Sequence, residues 1–305
     1  MKSIRHYSVA GMLVFLLALL TACGAGDEDG SGAGPIQVGS KDFTEQFIIG
    51  EMYALLLEDA GFTVERRLNL GGTPVAHAAL LNGDIDLYPE YTGTGLLTIL
   101  KRPSTSDRQG VYNTVAQEYR ERFNLIWLEP APMNNTQALA MTKEGSERLG
   151  IKTISDMVAK ADQLVMVGPP EFQEREDGLP GLKQAYGDFS LKRYISVDPG
   201  LRYQALVSGQ ADIAVAFGTD GEIAAYDLVV LEDDKNLFPP YQVAPVVRQQ
   251  ILDANPQIRD ILNELAPKLT DETMRRLNNE VTGKNREPAD VAREFLEQEG
   301  LLNQK

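Results

Sequence analysis

The sequence predicts an α/β fold of two lobes, and two observations carry this prediction. Short apolar strands alternate with helical patterns along the chain, which is typical of sheets that are largely parallel. A motif near the N-terminus then recurs in the second half, so each half is expected to build one lobe on the same plan. Roughly 270 residues follow the N-terminal segment, a length that suits two lobes of ordinary domain size.

The first half contains the clearest secondary-structure patterns. The predicted elements are a strand at Ile36–Gly39, an amphipathic helix over 44–61 that Gly61 closes, a strand over 63–68, a helix over 74–82 and a strand over 85–88. From Pro245 onward, apolar residues that include Val246, Val247 and Ile251 recur at helical spacing. We expect this C-terminal stretch to be helical and to pack on the first lobe.

The repeat has two parts, which occur in the same order in both halves. Val38-Gly39 with Phe43, Glu45 and Gln46 is matched by Val167-Gly168 with Phe172, Glu174 and Arg175, and the segment Gly83–Leu87 with Tyr91 is matched by Gly209–Ile213 with Phe217. Ligands bind beyond the carboxyl ends of parallel strands, so two facing lobes would point these loops into one shared cleft. The sequence therefore predicts two lobes that close on a ligand in the cleft between them.

The N-terminus has the features of an export signal. Lys2 and Arg5 precede a short apolar run from Val9 to Leu20, which predicts a signal peptide over 1–22. The order Leu20-Thr21-Ala22-Cys23 is the pattern of a bacterial lipoprotein cleavage site and predicts a lipid on Cys23, the alternative being a plain secretory signal beside an incidental cysteine. Residues 23–35 are rich in small and acidic residues and predict a flexible tether.

Composition excludes several functions. With 29 basic against 44 acidic residues, the chain lacks the basic surface that nucleic acids need. Its single cysteine leaves no thiol for a disulfide, a metal site or a nucleophile once it is lipidated. Of the two histidines, His6 lies in the signal peptide and His77 in a predicted helix, where a packed or solvent-facing side chain is expected. The Gly-x-Ser-x-Gly and P-loop motifs are missing, so we expect a binding protein without cofactor or metal, with a lipoprotein enzyme as the disfavoured alternative.

Six segments, in unbroken order, resemble the glycine betaine/choline-binding proteins of osmoprotectant ABC transporters, of the ProX, OpuCC and OsmF types and above all the OsmF subgroup. These segments are Gly39–Gln46, Tyr88–Thr94, Asn134–Thr136, Glu171-Phe172, Phe217–Gly221 and Phe238–Tyr241. The resemblance implies a type II periplasmic-binding-protein fold with two crossover strands and the ligand between the lobes. We expect lobe 1 to comprise residues 36–132 and 242–305, and lobe 2 to comprise residues 133–241.

The resemblance also implies a ligand-binding site. Tyr91, Phe217 and Tyr241 fall on positions of an aromatic cage, Lys41, Thr94 and Arg175 on positions that hold a betaine carboxylate, and Asn135 on a position that shapes the cage. Aromatic faces suit a quaternary ammonium group, which carries diffuse positive charge and donates no hydrogen bond. Gln137 stands where the family commonly has Tyr or Trp, and Phe217 where Tyr is more usual, so three rings and one amide wall are expected.

Taken alone, these residue types allow other interpretations. An aromatic residue at a strand end is often part of the core, Arg175 lies in the charged run Glu174-Arg175-Glu176, and Lys41 lies in a loop. With the resemblance, we expect a monomeric binding subunit of an importer that works with separate permease and ATPase subunits. It is expected outside the cytoplasm, at the cell surface or in the periplasm. A different polar or cationic solute, taken up or sensed, is the alternative.

Overall fold

The computed structural model describes residues 34–302. The predicted signal peptide, the lipidation site Cys23 and the tether as far as residue 33 lie outside this range. The strands are β1 Ile36–Gly39, β2 Val64–Arg67, β3 Leu87–Tyr91, β4 Leu125–Trp127, β5 Gln137–Thr142, β6 Val165–Gly168, β7 Arg193–Ser196, β8 Ile213–Phe217, β9 Leu228–Val230 and β10 Val243–Arg248.

Helices connect and cover these strands. The α-helices are α1 Thr44–Asp59, α2 Thr73–Asn82, α3 Thr92–Thr94, α4 Arg108–Phe123, α5 Lys143–Leu149, α6 Ile154–Val158, α7 Leu179–Tyr186, α8 Arg202–Val207, α9 Gly221–Ala225, α10 Gln249–Ala254, α11 Ile258–Asn263, α12 Asp271–Thr282 and α13 Pro288–Gln298. A π-helical turn covers Gly95–Ile99, and 3₁₀ turns cover Ala161–Gln163, Pro170–Gln173, Pro199–Leu201 and Ala266–Lys268.

The strands form two five-stranded sheets with the same plan. The first sheet has the order β2-β1-β3-β10-β4 and the second has the order β7-β6-β8-β5-β9. In each sheet the first three strands are parallel, and the fourth runs antiparallel to its neighbours. The chain passes to the second sheet between β4 and β5 and returns between β9 and β10. The two-lobed α/β fold, its repeat and its two crossings are therefore confirmed, while the lobe boundaries at 132/133 and 241/242 stay a prediction.

The repeated aspartates show why the two halves fold alike. Asp86 Oδ2 accepts a hydrogen bond from the backbone N–H of Gln37, and Asp212 Oδ2 accepts one from the backbone N–H of Val165, each at 2.9 Å. In return, the N–H of each aspartate donates to the carbonyl of the same partner residue. Each pair satisfies polar groups where a central strand of its sheet begins. The strand register is offset by one residue between the lobes, since Leu87 pairs with Val38, whereas Ile213 pairs with Met166, the counterpart of Gln37.

Each sheet is covered on both faces. In the first lobe, one face packs against α1 and the C-terminal helices, with Ile48, Met52 and Phe295 among the buried residues. The other face packs against α2 and α4 around Tyr119 and Trp127. The second lobe has two smaller cores. Apolar burial on both faces is the expected condition for parallel strands, and it leaves the carboxyl ends of the strands free for a site.

Two predicted elements were wrong in their bounds or type. The strand expected over 85–88 runs over Leu87–Tyr91. Val246 and Val247, expected in a helix, lie in β10, between β3 and β4. Short apolar runs carry no periodicity that separates a buried strand from a buried helix, and here the neighbouring strands decide the outcome. Beyond β10 the chain is largely helical as expected, and α11, α12 and α13 all contact α1.

The described residues contain neither a membrane-spanning helix nor a metal cluster. Among residues 34–302, no helix is both long and apolar enough to cross a membrane. Over the same residues, no cluster of three or more His, Cys, Asp or Glu side chains is arranged to hold a metal ion. His77 is packed, with edge-on contacts to Tyr119 and Phe123 at centroid distances of 5.6 and 5.3 Å. Burial lowers the pKa of this imidazole, so His77 belongs to the core.

Candidate functional site

One cavity between the two sheets contains all eight side chains predicted for the ligand site. It is lined by Lys41, Asp42, Phe43, Tyr91, Thr94, Asn135, Gln137, Pro169, Glu171, Arg175, Pro199, Phe217 and Tyr241, and encloses about 30 Å³. Most of these residues follow the carboxyl ends of β1, β3, β6, β7 and β8, the others flanking the antiparallel strands β5 and β10. The topology therefore places the cavity where parallel sheets bind ligands.

Four aromatic residues line the cavity, one more than the sequence predicted. Phe43 stacks between Tyr91 and Phe217, with ring centroids at 6.2 and 5.8 Å. Tyr241 forms part of the same lining. Tyr91 and Phe217 end the equivalent strands β3 and β8, so rings from both lobes meet at Phe43. These rings offer π faces to a cation.

Lys41 is buried and paired within the first lobe. Its Nζ atom lies 2.7 Å from Glu90 Oε1 and 3.3 Å from the Thr73 hydroxyl. The same ammonium group lies 4.9 Å from the ring centroid of Tyr91 and 5.9 Å from that of Phe43. With 3% of its surface exposed, Lys41 is not an ordinary loop lysine. The protein's own cation thus occupies the faces of two of the rings.

Arg175 is also buried, so it is not a surface arginine. Its Nε atom donates to Asp177 Oδ1 at 2.6 Å and Nη2 donates to Asp177 Oδ2, a bidentate pair. Nη1 donates to Glu171 Oε1 at 3.2 Å, and Nη2 to the Thr94 hydroxyl at 3.3 Å. Burial acts to raise the pKa of Asp177, but the charge and hydrogen bonds of Arg175 outweigh it and lower that pKa to about 2.

Glu171 carries a carboxylate from the second lobe to the N-terminus of α2 in the first. Its Oε2 accepts from the backbone N–H of Thr73 at 2.9 Å, while Oε1 accepts from Arg175. A Cβ atom at Gly72 would lie only 1.9 Å from Glu171 Oε2, so any larger residue there would displace this carboxylate from the helix N-terminus. A helix N-terminus together with a guanidinium group is a favourable carboxylate site, and here a side chain of the protein fills it.

Two buried carboxylates hold the tyrosines of the cavity in place. The Tyr241 hydroxyl donates to Asp177 Oδ2 at 2.7 Å, and the Tyr91 hydroxyl donates to Glu45 Oε1 at 2.7 Å. The amide of Gln137 also lowers the pKa of Asp177, which places Gln137 at the arginine end of the cavity. Each hydroxyl is thus bonded to a carboxylate that does not itself line the cavity.

Glu45 connects more parts of the molecule than any other residue described above. Its two oxygens accept from Tyr91, from Asn135 Nδ2 at 2.7 Å, from the Thr219 hydroxyl at 2.5 Å and from Asn278 Nδ2 at 3.0 Å. These donors are all neutral, and burial raises the pKa of Glu45 despite the hydrogen bonds from Thr219, Tyr91 and Asn278. Since Glu45 lies in the first turn of α1 and Thr219 follows β8, this carboxylate joins the two lobes.

Sequence reasoning missed Phe43 and Glu171 in the lining of this cavity. It also missed Glu45 and Asp177, the carboxylates that bond its tyrosines. Phe43, Glu45 and Glu171 lie in segments that carry the resemblance, and Phe43 and Glu45 also belong to the internal repeat, so a signal was present. Nothing in the local pattern shows which side of a loop faces the cleft. A wider groove of about 890 Å³ lies between Asp220 and Asn279, but among the described residues that line it there is no aromatic ring, so it is a weaker candidate for a cation site.

The fold and the cavity together define a two-lobed solute-binding protein. Residues 34–298 match the family model described as the substrate-binding domain of ABC-type glycine betaine transport systems. The chain belongs to this family, and the predicted role as the substrate-binding component of an ABC importer is confirmed at that level.

Individual relatives differ in what their names say they bind. An ergothioneine transport permease/ergothioneine binding protein of Helicobacter pylori is 38% identical over 88% of this chain, which spans 48% of that protein's length. A carnitine transport binding protein of Listeria monocytogenes is 34% identical, with 100% of this chain and 99% of the relative covered. A crystal structure titled glycine betaine/carnitine/choline ABC transporter superposes with a TM-score of 0.68 at 33% identity, covering 88% of this chain and 100% of that one.

Proposed function

We propose that this protein captures a small solute with a quaternary ammonium group, such as glycine betaine, choline or carnitine, and delivers it unchanged to a separate permease and ATPase. The main support is the position of the Lys41 ammonium group, 4.9 Å from the Tyr91 ring centroid. The rings already hold one cation, and a quaternary ammonium group would make the same interaction with a smaller loss of hydration.

A betaine matches both ends of the cavity. Lys41, which the resemblance assigns to the carboxylate of the solute, lies instead at the Tyr91 ring, where we expect the ammonium group of the solute to bind. The Glu171 carboxylate lies where the carboxylate of the solute would bind, on Arg175 and the N–H of Thr73. A solute of this kind exceeds the enclosed space of about 30 Å³. Entry therefore requires the lobes to separate and both side chains to give way, and reclosure signals the loaded state.

Ergothioneine, itself a trimethylammonium betaine, is the second candidate. It is favoured by the relative of Helicobacter pylori and by Gln137, whose amide can pair with a polar group that glycine betaine lacks. Calorimetric titration with glycine betaine, choline, carnitine, proline betaine and ergothioneine is the direct test. Binding of at least one solute is expected, and no heat from any of them would contradict the proposal.

We also propose that a lipid on Cys23 holds the protein on the outer side of the membrane. A binding protein must remain near its permease, and Leu20-Thr21-Ala22-Cys23 is a lipoprotein pattern. Labelling of cells with an alkyne fatty acid should mark the wild-type protein and leave Cys23→Ser unmarked and released. Equal labelling of both would reject the anchor without affecting the proposed ligand.

A further inference from the structure

Two helical segments occupy equivalent places in the two lobes. Helix α2 connects β2 to β3, and the 3₁₀ turn Pro199–Leu201 with α8 connects β7 to β8. Because β2 and β3 hold the same places in the first sheet as β7 and β8 in the second, the segments are related by the internal repeat. Each runs on into the repeated stretch that contains Asp86 or Asp212.

The same positions are exposed in both segments. Val75 and Leu201 are each 51% exposed, and Leu81 and Val207 are 44% and 43% exposed. The internal repeat matches Val75 to Leu201 and Leu81 to Val207, because the two residues of each pair are separated by the same number of positions in the chain. Among the described residues, the other large apolar side chains with comparable exposure are Tyr226 and Val230.

Each segment thus carries an exposed stripe without charge. The α2 stripe consists of Pro74, Val75, Ala78, Leu81 and Asn82, and the α8 stripe consists of Gly200, Leu201, Gln204, Val207 and Ser208. Such a surface is unusual on a chain with a formal net charge of −15. Matched apolar patches without charge mark contact surfaces for an uncharged partner face.

Both stripes begin at the cleft. Thr73, which starts α2, receives Glu171 from the other lobe, and Pro199, which starts the α8 segment, lines the cavity. The separation of the stripes therefore depends on how far the lobes are closed. A partner that contacts both stripes would distinguish the closed form from the open form.

We propose that the α2 stripe and the α8 stripe are docking surfaces for two equivalent permease subunits, one stripe on each subunit. This proposal rests on the proposed function in an ABC importer. The duplication of the stripe calls for a partner that presents the same face twice, and the absence of charge calls for uncharged, partly apolar faces. Simultaneous contact then depends on the stripe spacing of the closed, loaded protein.

The test uses the full-length lipoprotein with its permease and ATPase subunits reconstituted in one bilayer. In the double variant Val75→Glu with Leu201→Glu, ATP hydrolysis stimulated by the loaded binding protein should fall about tenfold or more, since a charge is forced against an apolar face. Solute affinity by calorimetry and the melting temperature should stay unchanged. Val230→Glu, also an exposed apolar residue but outside the stripes, is the matched control and should stimulate normally.

The outcomes separate the two proposals. If the double variant stimulates ATP hydrolysis as strongly as the wild-type protein, the stripes are not docking surfaces. If only one of the single variants Val75→Glu and Leu201→Glu lowers stimulation, the two-subunit arrangement is wrong. If light scattering shows that the wild-type protein is a dimer and the double variant a monomer, the stripes contact a second copy of this chain instead of the permease. Failure of the wild-type protein to bind any of the five solutes and to stimulate hydrolysis would reject the proposed function, and docking with it.

Discussion

The loops that follow β1 and β6 share one sequence motif but have different roles in the structure. Phe43 in the first loop lies in the cavity between two rings, whereas its counterpart Phe172 is 1% exposed and packs in the core of the second lobe. Gln46 binds the backbone of Lys41 and Pro89, whereas its counterpart Arg175 reaches into the cavity. One lobe thus supplies an aromatic end and the other an anion-binding end, so a shared backbone plan leaves the chemistry of each side chain free.

The two phenylalanines should separate stability from binding. Phe172→Ala removes a fully buried ring and should lower the free energy of unfolding by about 3–5 kcal/mol. Phe43→Ala should cost much less stability, because Phe43 is partly buried, but should weaken binding of a quaternary ammonium solute. Urea unfolding and calorimetric titration of both variants measure this contrast. Similar stability losses with unchanged affinity would place both rings in the core.

Substitution of Tyr91 or Tyr241, which both line the cavity, should give the next largest effect, a loss of solute affinity. Tyr91→Ala and Tyr241→Ala should each weaken binding of a cationic solute by roughly 1 to 2 kcal/mol, as expected for loss of a desolvated cation–π contact. Tyr91→Phe is the control, because it keeps the ring and removes only the hydroxyl bonded to Glu45. Calorimetry that finds Tyr91→Ala equal to the wild-type protein would remove Tyr91 from the cage.

Glu171 and Asp42 occupy equivalent positions in the two loops and test the anion-binding end. Glu171→Gln should tighten glycine betaine by about fivefold, because a carboxylate that competes for Arg175 is neutralised. Choline, which lacks a carboxylate, should gain nothing. Asp42→Asn is the matched control, since Asp42 lines the cavity but lies on the other loop. An equal gain for choline and glycine betaine would show that Glu171 does not compete with the carboxylate of the solute.

The smallest effect is the pH dependence of stability that Glu45 causes. Burial raises the pKa of Glu45 above its unfolded value of about 4.5, so the folded state binds the proton more tightly. Stability should therefore decline as pH rises from about 4.5 through the folded pKa. Asp177 acts in the opposite sense and at lower pH, because its pKa is lowered to about 2 and stability is lost as pH falls below 3.8.

Glu45→Gln should flatten the decline above pH 4.5, part of which remains because burial also raises the pKa of Asp42 and Glu222. Glu174→Gln, at an exposed position, should leave the slope unchanged. Urea unfolding as a function of pH provides the measurement. A slope that persists in full after Glu45→Gln would assign the effect to the other carboxylates.

The sequence alone determined the two lobes and their alternation of strands and helices, because hydrophobic periodicity and a repeated motif are local signals. The eight residues expected in the ligand site came from the family resemblance, and the structure places all of them around one cavity. The tertiary structure decided which side of each loop faces inward. Phe43 and Phe172 share a motif, yet one stacks in the cavity and the other in the core. It also made β10 a strand, by placing it between two others. Such choices depend on partners distant in the chain, whose positions no local pattern contains.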